Sequence, residues 1–316
     1  MANLPRIQPE LALKYKFPDV TFEYTERDVA LYALGVGAAG ENPVDPLELP
    51  FVYHPEGQTS ITVLPTFAVV YVSHLIRLVD SIDGLHYDPN LLLHGEHYTE
   101  IYKPLPTCGQ IRSSVRISGL HDKGKAAIVE IELLSHDSKT GDKICLSRIT
   151  IFLRGAGGFS PSSQPFSYSN RTTYLPKTTS GPSTSKSGQP EGAPDVVYHD
   201  QTRPSQALIY RLSGDYNPLH SDPLYATQAG FQRPILHGLC TLGYAVRAVI
   251  RSCCKGDATR IQSFQGRFLS HVYPGEKLTT EMWLDASQSR VSYKTKADGR
   301  AVLAGTVLLT PVRSLL

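Results

Sequence analysis

The fold is decided by residues 237–250, which read HGLCTLGYAVRAVI and predict a long apolar helix that begins at His237-Gly238. Two shorter helices are predicted before it: one follows Ser205 and ends at Gly214, and one is capped by Asp222-Pro223 and stops at Gly230. Four strand candidates come after it, at Arg260–Leu269, Lys277–Leu284, Arg290–Lys296 and Ala301–Leu309. A strongly curved sheet around one buried helix would bury the apolar faces of both.

The first half of the chain repeats this order of elements. Helices are predicted over Thr25–Val36 and Pro65–Val79, and strands at Ile111–Ile117, Ala126–Leu134 and Ile144–Leu153. The second of these helices contains His74 and Arg77 and is too short to span a bilayer, so it is interpreted as a buried helix. One central helix followed by an antiparallel sheet, present twice, predicts the α+β class.

Three faint sequence echoes in the same order indicate an internal duplication. The pairs are Tyr32–Gly37 with Tyr210–Asp215, Asn42–Pro46 with Asn217–Pro223, and Tyr102–Gly109 with Val272–Gly275. Between the two halves, Ser, Pro, Thr and Gly dominate, and such a composition cannot bury enough apolar area to offset the entropy of ordering. The predicted units are therefore an N-terminal domain at 1–159, a linker at 160–198 and a C-terminal domain at 199–316.

The overall composition argues against several classes of function. The 316 residues carry a formal net charge of +2 and no Lys/Arg run, so the basic face of a nucleic-acid-binding protein is not expected. Five cysteines without paired spacing argue against a disulfide framework and favour a reducing compartment. The first ten residues contain no apolar stretch typical of a secretory signal.

The last three residues, Ser314-Leu315-Leu316, partly match the Ser-Lys-Leu address that the peroxisomal import receptor recognises. Ser314 and Leu316 fit that signal, whereas Leu315 replaces its basic residue. An arbitrary chain end is the alternative interpretation. The expected location is the peroxisome, reached through the import receptor, and otherwise the cytosol.

The residues that point to chemistry lie in segment 213–222, SGDYNPLHSD. Pro218 restricts the backbone between Asp215 and His220 and favours an extended Asn217, so the two side chains are held on a stiff turn. A carboxylate and an imidazole that converge on one water form a general acid/base device. The alternative is structural, with Asp215 capping a turn and His220 packing locally. Asn217 itself is interpreted as a turn former.

Gly238 is the second chemical candidate, because it stands at the predicted start of the long helix. A free backbone N–H there, together with the helix dipole, suits a developing oxyanion. Glycine also lets a substrate carbonyl approach the backbone closely. An ordinary glycine beside a helix cap is the alternative.

A longer set of motifs resembles a known family. Residues 210–223, YRLSGDYNPLHSDP, and 234–241, PILHGLCT, resemble the R-specific 2-enoyl-CoA hydratases, or hydratase 2, of the MaoC-like group. Further matching stretches are YTERDVALYALGVG at 24–37, LHGEHY at 93–98, IYKPLP at 101–106 and VYPGE at 272–276. The resemblance covers nearly the whole chain outside the linker. It is closest to the stand-alone peroxisomal form of plants and extends to the hydratase domain of multifunctional β-oxidation enzymes.

The resemblance implies a double hot-dog fold, in which each of two units has a long central helix wrapped by an antiparallel sheet. It also implies reversible hydration of trans-2-enoyl-CoA to (R)-3-hydroxyacyl-CoA in peroxisomal fatty acid β-oxidation, especially of unsaturated fatty acids, without a metal or an organic cofactor. A homodimer is expected on the same ground. Carried over, Asp215 and His220 are the catalytic pair and Gly238 is the oxyanion donor. The implied acyl-CoA contacts are His94, Gly95, Lys123, Tyr216, Asn217, Pro218, Leu219 and Phe268.

The duplication assigns different tasks to the two halves. At the positions that correspond to Asp215 and His220, the first half has Gly37 and approximately Asn42, so it is expected to accommodate the acyl chain and to lack the catalytic pair.

A hot-dog acyl-CoA thioesterase and a non-catalytic acyl-CoA-binding protein are the alternative functions. Without the family resemblance, Lys123 is interpreted as a solvated loop lysine. A steroid- or indole-derived acyl group is an open alternative for the substrate.

Overall fold

The chain forms two halves that are each built mainly from antiparallel strands. The computed structural model describes residues 6–72, 78–162, 164–169 and 192–310. The first half contains β1 Val20–Tyr24, β2 Leu92–Ile101, β3 Gly109–Asp122, β4 Ala126–Asp137, β5 Lys143–Arg154 and β6 Phe166–Ser169. The second half contains β7 Val196–Gln201, β8 Ile261–Phe268, β9 Lys277–Leu284, β10 Arg290–Ala297 and β11 Arg300–Leu309.

One continuous sheet joins the halves, in the strand order β1-β3-β4-β5-β2-β8-β11-β10-β9-β7, with β6 paired to β3. The junction is the antiparallel pair β2 and β8, in which Glu96 lies opposite Arg267. The four strands predicted in the second half are all present and antiparallel to their neighbours. The α+β class is confirmed.

Five α-helices in the described part of the chain accompany the sheet. They are α1 Pro9–Lys14, α2 Glu26–Gly35, α3 Gln206–Tyr210, α4 Pro223–Gln228 and α5 Gly238–Cys254. The predicted long helix is α5, which begins at the predicted residue and extends past Ile250. Apolar residues surround its axis, so nearly all of it is buried inside the larger core. Among the described residues, no helix is long and apolar enough to cross a membrane.

The long helix predicted over Pro65–Val79 is wrong in type where the structure describes it. Pro65–Val72 is a 3-10 helix, residues 73–77 lie outside the described residues, and a further 3-10 turn occupies Val79–Ser81. Four of the seven residues of Thr66–Val72 are β-branched, and such side chains crowd the α-helical backbone, which weakens the preference for a regular helix. A second apolar core fills the first half, where α1 packs with strands β3, β4 and β5.

The predicted linker overlaps two strands. Phe166–Ser169 forms β6, and β7 begins at Val196, whereas residues 170–191 lie outside the described residues. The domain boundaries at 159 and 198 therefore stay a prediction. All five cysteines are free thiols in this structure.

A buried ion network ties α5 to the first half. The guanidinium of Arg247, which is 1% exposed, contacts the carboxylates of Glu48 and Asp200, and its Nε donates to the Val36 carbonyl at 2.9 Å. Burial alone would lower the pKa of Arg247, but Asp200 and Glu48 raise it, so the group stays charged. These contacts fix the position of α5, and with it the position of the residues at its N-terminus.

Candidate active site

A stiff turn before α4 carries the predicted catalytic pair. Gly214 adopts a left-handed conformation with φ of 117°, which ends the 3-10 turn Arg211–Ser213. The Asp215 Oδ1 accepts from the Asn217 N–H at 3.2 Å, and the Asn217 Oδ1 accepts from the Leu219 N–H at 3.0 Å. A second 3-10 turn runs over Pro218–His220. The backbone between Asp215 and His220 is therefore held by local hydrogen bonds and by the proline ring.

His220 is buried and held in one tautomer. Its Nδ1 lies 2.8 Å from the Ile235 carbonyl oxygen, and a carbonyl can only accept, so Nδ1 carries the proton. The Nε2 lone pair is left available for a substrate or a water. Burial lowers the pKa of His220, although the nearby Asp215 carboxylate opposes this. A neutral imidazole with a free lone pair is suited to act as a base.

His237 completes the cluster and is absent from the sequence-predicted site. It immediately precedes α5, its Nε2–H donates to the Asp215 carbonyl at 3.1 Å, and its ring stacks on His220 with centroids 3.7 Å apart and planes at 27°. One potential ligand atom from each of Asp215, His220 and His237 lies within 4.8 Å of the others. The signal available in the sequence was a histidine directly beside Gly238, which was interpreted only as a helix start.

The same three residues offer a carboxylate and two imidazoles, the ligand types of a divalent metal ion. Each ring is oriented by a backbone carbonyl, as metal-ligating histidines commonly are. The lone pair of an imidazole lies in its ring plane, however, and two nearly parallel rings direct their lone pairs along lines that do not meet about 2 Å from both nitrogens. The stacked geometry therefore favours acid/base chemistry over metal binding.

Gly238 is the exposed first residue of α5. The first four N–H groups of an α-helix have no acceptor within the helix, so its N–H points outward from the helix end. A Cβ added here would lie 3.1 Å from two carbon atoms of the Phe268 ring. Glycine keeps open the space between the helix start and this ring.

The strand junction brings two more predicted residues to the same place. His94 on β2 packs edge-on against Phe268 at the end of β8, with ring centroids 5.0 Å apart. Burial lowers the pKa of His94 to about 4, so the ring is neutral. Gly95 lies in an irregularity of the β2–β5 pairing, and a Cβ there would lie 2.1 Å from the Phe152 ring. The structure thus groups His94, Gly95, Phe268 and Gly238.

The remaining predicted contacts divide between the loop and a distant turn. Tyr216, Asn217, Pro218 and Leu219 belong to the loop of the catalytic pair, and the exposed Tyr216 ring lies under the Arg211 guanidinium, 4.9 Å from it. Lys123 lies exposed in the turn between β3 and β4. Strands β4 and β5 separate β3 from β2, which places the Lys123 turn three strand spacings, about 14 Å, from the strand of His94.

Comparison with known proteins places this arrangement in a family. A family profile described as the MFE-2 hydratase 2 N-terminal domain matches residues 22–155, and one described as a MaoC like domain matches residues 185–304. The chain is 51% identical over 300 residues to the Arabidopsis thaliana protein named enoyl-CoA hydratase 2, peroxisomal, and the match covers 94% of each chain. The chain belongs to the MaoC-like hydratase 2 family.

Solved structures agree with the MaoC-like assignment and with the fold. A MaoC-like dehydratase from Phytophthora capsici superposes with a TM-score of 0.80 at 29% identity, covering 97% of this chain and 100% of that one. A Mycobacterium tuberculosis protein described as having a double hotdog fold superposes with a TM-score of 0.53 at 12% identity, covering 94% of each chain. At that identity only the fold is informative, and the predicted double hot-dog is confirmed.

Proposed function

We propose that this hydratase 2 family member reversibly hydrates trans-2-enoyl-CoA to (R)-3-hydroxyacyl-CoA in peroxisomal fatty acid β-oxidation, with Asp215 and His220 as the catalytic pair. The observation that carries this assignment is the His220 tautomer. Its Nδ1–H is taken by the Ile235 carbonyl at 2.8 Å, so a basic Nε2 stands beside the Asp215 carboxylate. The exposed N-terminus of α5 lies beside this pair in space, because His237, the residue just before the helix, stacks on the His220 ring.

Hydration of a 2-enoyl thioester has two chemical requirements, which Asp215, His220 and Gly238 meet in this proposal. Water must be activated for attack at C3, and the negative charge that develops on the thioester oxygen must be stabilised. Asp215 and His220 hold one water between them, from which hydroxide adds to C3 while a proton reaches C2 on the same face. In the reverse direction a protonated partner is required, so the pair shares the acid and base tasks. General acid/base assistance of this kind contributes about 10²–10⁴-fold.

The Gly238 N–H is the oxyanion donor in this proposal. It is the free N–H of a 17-residue buried helix, whose dipole adds positive potential at the same end. The thioester oxygen approaches through the gap that the missing side chain leaves against Phe268. One preorganised donor of this type contributes about 10²–10³-fold.

The rest of the substrate extends along the strand junction. His94, Gly95 and Phe268 flank the thioester in this proposal, and the exposed Lys123 reaches the phosphates at the far end of the CoA. The acyl chain enters the first half, where Gly37 and Asn42 stand at the positions that correspond to the catalytic pair.

The pH dependence follows from the buried His220. His220 must be neutral to act as a general base, and burial lowers its pKa below the ordinary 6.5. Activity is therefore present above the pKa of the folded state and is lost as the pH falls through it. The acid limb of kcat/KM is therefore expected below pH 6.5. Initial rates measured between about pH 5 and 8 test this. An acid limb at or above the ordinary histidine value would contradict the assignment of His220 as the base.

Gly238→Ala is expected to lower kcat/KM about tenfold or more while the protein remains folded. The new methyl lies 3.1 Å from the Phe268 ring and occupies the path of the thioester oxygen. Alanine in a helix is more favourable than glycine by about 1 kcal/mol, which offsets the tight approach to that ring. Wild-type kcat/KM in a folded Gly238→Ala variant would remove Gly238 from the oxyanion site.

A single assay separates the proposed activity from its rivals. Hydration of crotonyl-CoA or trans-2-decenoyl-CoA consumes the enoyl absorbance and releases no thiol, whereas a thioesterase releases free CoA. A non-catalytic binding protein changes neither signal. Loss of enoyl absorbance without thiol release is the expected result, and stoichiometric thiol release would refute the proposal.

Location and assembly are further parts of the proposal. The Arabidopsis relative named peroxisomal supports the peroxisome as the site of action. Recognition of Ser314-Leu315-Leu316 by the import receptor stays a prediction, and these residues lie outside the described part of the chain. A homodimer likewise stays a prediction, which light scattering coupled to gel filtration tests directly.

A further inference from the structure

His237 is the most deeply buried member of the catalytic cluster, yet the hydration mechanism above gives it no task. It is 1% exposed and contacts both residues of the pair. We propose that His237 is a positioning residue, which holds the Asp215 backbone through its Nε2–H and covers one face of the His220 ring. This inference rests on the proposed hydratase activity and adds a residue to it.

A hydrogen bond from His237 holds the backbone at Asp215. The His237 Nε2 lies 3.1 Å from the Asp215 carbonyl, which can only accept, so Nε2 carries the proton and Nδ1 is unprotonated. His237 is fixed to the start of α5, and Arg247 anchors that helix in the core. The bond therefore ties a half-buried turn to a helix that is buried in the core and held there by Arg247.

The stacked ring of His237 covers one face of the His220 ring. The His237 ring lies 3.7 Å from His220 and nearly parallel to it, so water cannot reach that face of the catalytic imidazole. Among the described residues, the titratable and charged groups that face His220 are Asp215 and His237 itself. Tyr210 and Arg211 lie behind His237. Burial, in which the His237 ring takes part, is the main cause that keeps the pKa of His220 low.

Two substitutions separate these contributions. His237→Phe keeps a ring against His220 but removes the donor, whereas His237→Gln keeps an N–H donor at a similar reach but removes the ring. His237→Phe is expected to lower kcat about 10- to 100-fold with KM changed less than about threefold, because the Asp215 turn is released. His237→Gln is expected to keep kcat within about threefold and to move the acid limb of kcat/KM upward toward pH 6.5, because water reaches His220.

The control is His199→Phe, the same change at an exposed histidine on β7, which should match the wild type in every respect. Wild-type kcat in His237→Phe would overturn the holding role, and an unmoved acid limb in His237→Gln would overturn the covering role. If His237→Phe does not fold, His237→Asn replaces it, since its shorter amide does not reach the Asp215 carbonyl. A wild-type protein without hydration activity would instead refute the proposed function, and only that outcome abolishes the rate in all samples.

Discussion

Asp215→Ala and His220→Ala are each expected to lower kcat for hydration at least about a hundredfold while the protein remains folded. Asp215 is half-buried, and in the described part of the chain its carboxylate accepts a hydrogen bond only from the Asn217 N–H, so its loss leaves the core intact. His220 is buried, but its ring is bonded only to the Ile235 carbonyl among the described residues. The rate is measured as loss of enoyl absorbance on trans-2-decenoyl-CoA, with circular dichroism as the check on folding.

The double variant sharpens this test. Two groups that act together on one water lose most of their contribution when either is removed, so the Asp215→Ala and His220→Ala changes should not multiply when combined. His199→Ala, an exposed histidine, serves as the control and should keep the wild-type rate. Near wild-type hydration by either single variant would show that the pair is not catalytic.

Arg247→Met is expected to lower the free energy of unfolding by about 3–5 kcal/mol, the largest effect on stability anticipated for this chain. The substitution leaves the carboxylates of Glu48 and Asp200 buried without their cation. Burial already raises the pKa of Asp200 to about 6, with Arg247 opposing it, so the uncompensated group is costly. Denaturant unfolding followed by fluorescence measures the change.

Two matched variants identify the cause. Arg251→Met removes a neighbouring arginine whose side chain is 27% exposed, and its effect should be much smaller. The triple variant Arg247→Met, Glu48→Leu, Asp200→Leu removes all three charges and should recover most of the lost stability, because no buried charge is left unpaired. Equal losses in Arg247→Met and Arg251→Met would show that the buried network does not fix the position of α5.

Local sequence patterns predicted the features whose causes are local. The turn of Asp215 and His220 follows from Gly214, Asn217 and Pro218, all within six residues of the pair. The start of α5 follows from a glycine ahead of a mainly apolar run. The alternation of buried and less buried residues along β9 to β11 follows from burial on one face of a sheet. For the same reason a helix followed by strands, present twice, predicted the α+β class, whereas the double hot-dog was implied by the resemblance to the MaoC-like hydratases.

Features that depend on distant contacts were not predicted. The strand β2 has a Gly95 irregularity and two histidines, and its place at the centre of the sheet arises only from pairing with β5 and β8. The role of His237 depends on a carbonyl 22 positions earlier in the chain. The α-helix predicted at Pro65 was wrong because its apolar composition does not distinguish an α-helix from a 3-10 helix in a packed core.

In the proposed reaction, one active site per chain adds water to a 2-enoyl-CoA with R stereochemistry. Incubation with trans-2-decenoyl-CoA, followed by chiral chromatography of the released acid, tests this stereochemistry directly. We expect (R)-3-hydroxydecanoyl-CoA as the product, formed without free CoA and lost in Asp215→Ala. An (S) product from the wild-type protein would show that the proposed reaction is wrong.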